Sequence, residues 1–188
     1  MNFEEAISLA KSRTDCHPDN IDTLVQIVNE LKYVDGSIVE VGSYKCGATI
    51  ALAAADPNRK VYAFDLFGGL PYGNIGFENF ADADFEEIKT VTSQFPNIHL
   101  VRGPHETTIP KFPAQSIALL FMDSDHYKSH CVALEHFWSM LLSGGMVVFH
   151  DWAFEGVQAA IEYALGPDAE NVNYRYPESP NMGFIVKN

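Results

Sequence analysis

Basic residues are scarce in this chain: 12 lysines and arginines stand against 25 aspartates and glutamates, a formal charge of −13. A nucleic-acid partner needs a cationic footprint to neutralise phosphates, so this balance argues against one. Cysteine is rarer still. Cys16, Cys46 and Cys131 lie far apart with no C-x-x-C pair, which fits free thiols in a reducing cytoplasm better than a disulfide framework or a structural zinc site. Long apolar runs are missing too. None approaches the roughly 20 residues that span a bilayer, so no membrane partner is expected. Asn2-Phe3-Glu4-Glu5 lacks the basic start of a secretory signal, and a cytoplasmic location is the expectation.

Apolar material is plentiful, at 47% of residues, enough for the core of one domain over residues 1–188. The organising stretch runs from Ser37 to Ala48. Ile38, Val39 and Val41 read as a buried strand, a turn bearing Gly42 follows, and Ala48 to Ala55 forms helix. Strand, glycine turn and helix open a nucleotide-binding α/β unit. Gly42 lets the chain turn and a ligand approach it closely. Glu40, at the strand end, would repel a pyrophosphate and suits a cationic or amine-bearing ligand such as the methionyl part of S-adenosylmethionine.

Two helices precede this unit. Asn2 and Glu5 have a capping-box shape for a helix through about Lys11. Ile21, Leu24, Ile27 or Val28, and Leu31 then repeat at amphipathic spacing. These helices (residues 1–35) could cover a sheet edge, cover the substrate, or contact a second subunit in a homodimer.

Residues 36–188 read as five strand-helix units closed by a hairpin. The second strand, Lys60 to Asp65, ends in an acid 23 residues after Gly42, placed for a ribose diol or for a helix cap. Leu66 to Ala83 is a glycine-rich aromatic loop of binding-loop length, and a helix starts at Asp84. Ile98 to Arg102 and Ile117 to Met122 are the third and fourth strands. The fourth is apolar throughout and so buried on both faces. A helix from about Lys128 to Leu142 is ended by Ser143-Gly144-Gly145, and Met146 to Phe149 is the fifth strand. A helix from Gly156 to Leu165 precedes short strands near Val172–Tyr176 and Met182–Val186, too close for anything but an antiparallel pair.

Polar groups gather at the carboxyl ends of all five strands: Glu40, Asp65, His105 with Glu106, Asp123 with Asp125 and His126, and His150 with Asp151. Asp123 and Asp151, 28 residues apart, could converge on Mg²⁺ or another divalent cation and polarise a substrate hydroxyl. They could equally hydrogen-bond the ligand or cap helices. His150 suits Zn²⁺, Fe or Ni²⁺ better, and shares a site with Asp151 only if the strand has ended. His126, His150 and His105 are candidate general bases. Cys46, Phe137 and Trp138 read as packing residues, and His130 and His136 as surface or core.

Together these stretches resemble class I S-adenosylmethionine-dependent methyltransferases, and among them the macrocin O-methyltransferase type. The resemblance rests on Ile38 to Ala48, Phe64 to Pro71, Arg102 to Pro110, Phe121 to Tyr127, Leu142 to Gly145 running into His150-Asp151, and Phe154 to Val157, in the family's order. It implies a Rossmann-like three-layer α/β sandwich whose seven-stranded, mostly parallel sheet has an antiparallel last strand. It implies S-adenosylmethionine held by Glu40, Gly42, Ser43, Tyr44, Gly47, Asp65, Leu66, His105, Glu106 and Asp123. In metal-dependent members the cation ligands match Asp123 and Asp151, and His150 stands where that type carries the first of two acids. His126, His150 and Asp123 are the implied catalytic set, and the substrate is a small-molecule hydroxyl, a sugar or natural product. Tyr44 and Cys46 interrupt the family-wide glycine pattern. A nicotinamide-dependent oxidoreductase and a non-catalytic cofactor-binding protein share the opening unit and remain alternatives, with a metal-dependent hydrolase more distant.

Overall fold

A computed structural model describes residues 1–68, 80, 82–166, 173–175 and 181–188. The strands are β1 (Ser37–Val41), β2 (Val61–Asp65), β3 (Ile98–Arg102), β4 (Ile117–Met122), β5 (Leu141–Phe149), β6 (Asn173–Arg175) and β7 (Gly183–Val186). They form one sheet in the order β3-β2-β1-β4-β5-β7-β6. The first five are mutually parallel, and β7 runs antiparallel to both β5 and β6. Most of the turn between β6 and β7, and the glycine-rich part of the long loop after β2, lie outside the described residues.

Strand alternation builds the two cores. Ile38, Leu119, Phe121, Met146, Val148 and Phe184 face α1 (Phe3–Arg13), α2 (Pro18–Glu30) and α3 (Gly47–Ala55). Val39, Val41, Leu120, Met122, Val147, Phe149 and Ile185 face α6 (Tyr127–Phe137) and α7 (Glu155–Leu165). The remaining helices are α4 (Phe85–Thr92), capped by the Asp84 side chain, and the short α5 (His105–Thr108). The result is the three-layer Rossmann-like sandwich that the strand-helix pattern predicts.

The two leading helices pack on the sheet face through α3. The capping box at Asn2 and Glu5 forms as expected, and Ile21, Leu24, Ile27, Val28 and Leu31 are all buried. A Cβ on Gly47 would lie 2.5 Å from the Thr14 nitrogen and 2.7 Å from the Ala10 carbonyl oxygen. Glycine there serves the close crossing of α1 over α3, and it does not line the cavity described below.

One element boundary differs from the sequence reading. Helix α6 stops at Phe137, and β5 begins at Leu141, so Ser143-Gly144-Gly145 lies inside a strand. The register against β4 shifts between Ile117 and Leu119, and Gly144 has φ +78°. The glycines thus mark an irregularity in the strand rather than a helix cap, the second of the two meanings an interior glycine can have.

Candidate active site

The carboxyl ends of β1 to β5 open onto one cavity of about 720 Å³, closed on one side by Thr14, Asp15 and Cys16 between α1 and α2. The backbone conformations around it are unusual. Gly42 has φ +89°, and a Cβ there would stand 2.0 Å from the Asp123 carbonyl oxygen. What approaches Gly42 closely is therefore the end of β4, pinned where the Asp123 N–H donates to the Val41 carbonyl at 2.8 Å. Tyr44 and Cys46, in place of the glycines of the family-wide pattern, keep the left-handed backbone at φ +46° and +62°.

Asp65 holds this turn together. Its Oδ2 accepts from the Ser43 and Tyr44 N–H groups at 2.8 and 2.9 Å, and its Oδ1 from that of Phe67 at 2.7 Å. Three of roughly four acceptor positions of the carboxylate are thus spent on the protein's own backbone. Glu40 is buried and accepts a hydrogen bond from the Thr49 hydroxyl of α3. Burial, with Asp123 and Asp65 nearby, pushes its carboxyl up to about 8 against the opposing pull of Thr49. Burial lowers the His105 pKa. Its Nε2 lies 3.2 Å from the Phe64 carbonyl, which can only accept, so Nε2 carries the proton. Glu106 lies 3.5 Å from Lys128 across the cleft mouth. The Tyr44 hydroxyl donates to Asp82, and Leu66 also lines the cavity. Cys46 is fully buried, which raises its thiol pKa, in keeping with a packing role.

At the other end, β5 stops at Phe149 and Asp151 adopts φ +53°. The strand alternation no longer applies, and His150 and Asp151 turn to one site. His150 Nδ1 lies 2.9 Å from Asp123 Oδ1 and 3.2 Å from Asp151 Oδ2. Burial alone would lower the His150 pKa, but the two carboxylates beside it outweigh burial and raise the pKa well above the usual histidine range. Burial, then the charges of Asp123 and Asp151, push Asp125 up to about 7. The Cys16 thiol donates to Asp123 Oδ2 at 3.1 Å, and burial followed by that carboxylate pushes it up to about 12. Sequence reasoning missed Cys16. A lone cysteine 107 residues before its partner carries no motif.

Four buried side-chain atoms on the cavity wall have no hydrogen-bond partner among the described residues: Ser43 Oγ, Ser124 Oγ, His126 Nε2 and His150 Nδ1. Buried polar atoms are nearly always paired, so a polar ligand fits this wall. His130 is buried behind the wall, against a smaller cavity of about 270 Å³, and burial lowers its pKa to about 4.

The family model for macrocin O-methyltransferase (TylF) matches residues 15–165, which takes in every strand end described above. The chain belongs to that family. A relative from Streptomyces olivaceus, 8-demethyl-8-(2,3-dimethoxy-alpha-L-rhamnosyl)-tetracenomycin-C 4'-O-methyltransferase, is 26% identical over 154 residues. That alignment covers 68% of this chain and 57% of the relative's length. Among solved structures, the O-methyltransferase NovP superposes with a TM-score of 0.80 at 21% identity, covering 93% of this chain and 82% of its own. The calicheamicin methyltransferase CalS11 gives 0.77 at 23%, covering 89% and 78%. At those identities the structural matches speak for the fold. The family match shows which family the chain belongs to.

Proposed function

We propose that this chain transfers the methyl group of S-adenosylmethionine to a hydroxyl of a sugar or sugar-bearing natural product. One observation carries the reading: a single cavity joins the β1–β2 turn, with Glu40 and Asp65, to the cluster of Asp123, His126 and His150. S-adenosylmethionine, when bound, supplies an activated methyl on a cationic sulfur. Glu40, Asp65 and Glu106 make the donor wall acidic, which suits a cation and a ribose diol and disfavours a pyrophosphate. Gly42 to Tyr44 present backbone at the turn, and the unpaired Ser43 and Ser124 hydroxyls offer hydrogen bonds to a polar ligand. The rhamnosyl substrate in the name of the Streptomyces relative supports a sugar hydroxyl as acceptor.

On the acceptor side, His126 Nε2 is a buried nitrogen with no partner among the described residues, suited to take the hydroxyl proton as the oxygen attacks. His150, 2.9 Å from Asp123 and 3.2 Å from Asp151, positions the Asp123 carboxylate in this arrangement rather than serving as the base. Displacement at a methyl group is in-line, so holding the two reactants in register supplies the larger part of the acceleration. Proton removal adds about 10²–10⁴-fold. Asp123 and the polar side chains around it would hold a divalent cation, whose chemistry there would be to acidify the hydroxyl.

A thermal-shift titration tests the reading. A ligand at about 100 times its dissociation constant stabilises by roughly 2.7 kcal/mol, about 5–10 °C for a domain of this size. S-adenosylmethionine and S-adenosylhomocysteine should both give that shift. A response to NAD(H) alone, or to none of the three, refutes the proposal.

A further inference from the structure

Three segments that are distant in sequence bring metal-ligating atoms to one point. Cys16 precedes α2, Asp123 follows β4 and His150 follows β5, and one ligand atom from each lies within 4.8 Å of the others. The Cys16 sulfur and the His150 ring both turn to the Asp123 carboxylate, one on each oxygen, at 3.1 and 2.9 Å. Asp151 adds a further oxygen 3.2 Å from His150 Nδ1. That nitrogen is buried, and although it is close to two carboxylate oxygens it makes an aligned hydrogen bond to neither. A ring whose purpose was to pair with Asp123 would aim its N–H along the line to the oxygen. This ring does not meet that geometry with either oxygen, and its nitrogen lies within 4.8 Å of ligand atoms of both Cys16 and Asp123.

The chemistry of the donors then narrows the cation. Magnesium takes an all-oxygen octahedron and binds through carboxylates and water. A thiolate and an imidazole beside one carboxylate are the donor set of Zn²⁺ and its neighbours Co²⁺ and Ni²⁺. Magnesium, the ion that paired acids would hold, does not fit this set. We infer that Cys16, Asp123 and His150 form a binding site for a divalent cation of the zinc class, with the Cys16 thiolate as a direct ligand. Three protein ligands leave a tetrahedral ion one open position, and the cavity is lined by all three of these residues. The open position would receive the acceptor oxygen. Only that last use rests on the methyltransferase reading; binding of the ion does not.

The test is a titration of chelator-stripped protein with Co²⁺, Zn²⁺ and Mg²⁺, each alone. Co²⁺ should produce a near-ultraviolet thiolate-to-metal charge-transfer band together with the visible bands of tetrahedral cobalt. Zn²⁺ should bleach them stoichiometrically and raise Tm, and Mg²⁺ should do neither. Cys16→Ser should abolish the charge-transfer band and weaken Zn²⁺ by more than the roughly 10–100-fold that loss of an outer-shell partner costs. Cys131→Ser should keep the band. If Cys16→Ser does not fold, His150→Gln gives the same reading through loss of the tetrahedral bands. Stabilisation by Mg²⁺ but not by Zn²⁺ overturns the inference. So does a cobalt spectrum without the thiolate band, a band that survives Cys16→Ser, or no binding of any of the three ions, in which case the His150 imidazolium itself occupies the cation's place. A titration of the same stripped protein with S-adenosylhomocysteine reads the donor site separately, so failure of one reading does not hide in failure of the other.

Discussion

Replacing Gly42 by alanine isolates the contact on which the cleft is built. The residue has φ +89°, where an L side chain costs roughly 1–2 kcal/mol. The new Cβ would lie 2.0 Å from the Asp123 carbonyl oxygen, 2.5 Å from its carbon and 2.8 Å from the Ser124 Cα. All three are backbone atoms, so no side chain can swing aside, and β1 must part from β4. Overpacking of this kind costs about 1–3 kcal/mol. Parting the strands also strains the Asp123 N–H bond to the Val41 carbonyl, at 2.8 Å, worth about 0.5–1.5 kcal/mol. The sum is roughly 3–6 kcal/mol out of a typical 5–15, or a fall in Tm of about 6–24 °C at 2–4 °C per kcal/mol. Gly68 is the control: a Cβ there meets nothing within 4 Å, and its alanine variant should stay within about 0.5 kcal/mol of the parent. Calorimetry on the three proteins decides the matter. A Gly42→Ala protein that melts with the Gly68→Ala control would refute the claim that this glycine is required by the neighbouring strand.

Two further predictions concern the ionisable groups. The folded-state pKa of Glu40 is raised from 4.5 to about 8, so the folded protein binds the proton more tightly than the unfolded chain does. Its contribution is complete below pH 4.5 and is lost as pH rises to about 8. Glu40→Gln should flatten the slope of urea midpoint against pH in that window and stabilise the ligand-free protein above it, while weakening S-adenosylmethionine; an unchanged slope would show that Glu40 is not the titrating group. His126→Gln should lower kcat about 10²–10⁴-fold and leave the Tm shift with S-adenosylhomocysteine intact, and a kcat close to the parent's would remove His126 from the mechanism.

The sheet was legible because hydrophobic runs and period-two alternation are local signals. β3 and β4 were read to the residue, and the amphipathic spacing of α2 marked every apolar side chain that it buries, though not the buried Asn20. Glycine was the weak letter. Gly144 and Gly145 have the composition of a helix stop, and only their backbone pairing with Lys187 beside β7 shows that they belong to a strand. Gly47 sits where a ligand-binding turn would place a glycine, yet its missing Cβ makes room for the Thr14 backbone, a contact that no local pattern encodes. Asp65 was recognised as an acid at the right strand tip, although the three backbone N–H groups that it ties down were not foreseeable from its position. His150 beside Asp151 was ambiguous until the left-handed conformation of Asp151 ended the strand alternation. Cys16 was invisible, since its meaning lies in two residues more than a hundred positions away.

That last separation orders the assembly of the molecule in time. A chain leaving the ribosome presents Cys16 long before Asp123 exists, and His150 later still. Contacts across such spans bear the full loop-closure entropy and form after local ones. Glu40, the Gly42 turn and Asp65 sit within one contiguous stretch and can take shape early. The methyl-donor half of the cleft is therefore expected to mature first, and the opposite half to close only when the earliest-made thiol meets the late strand ends.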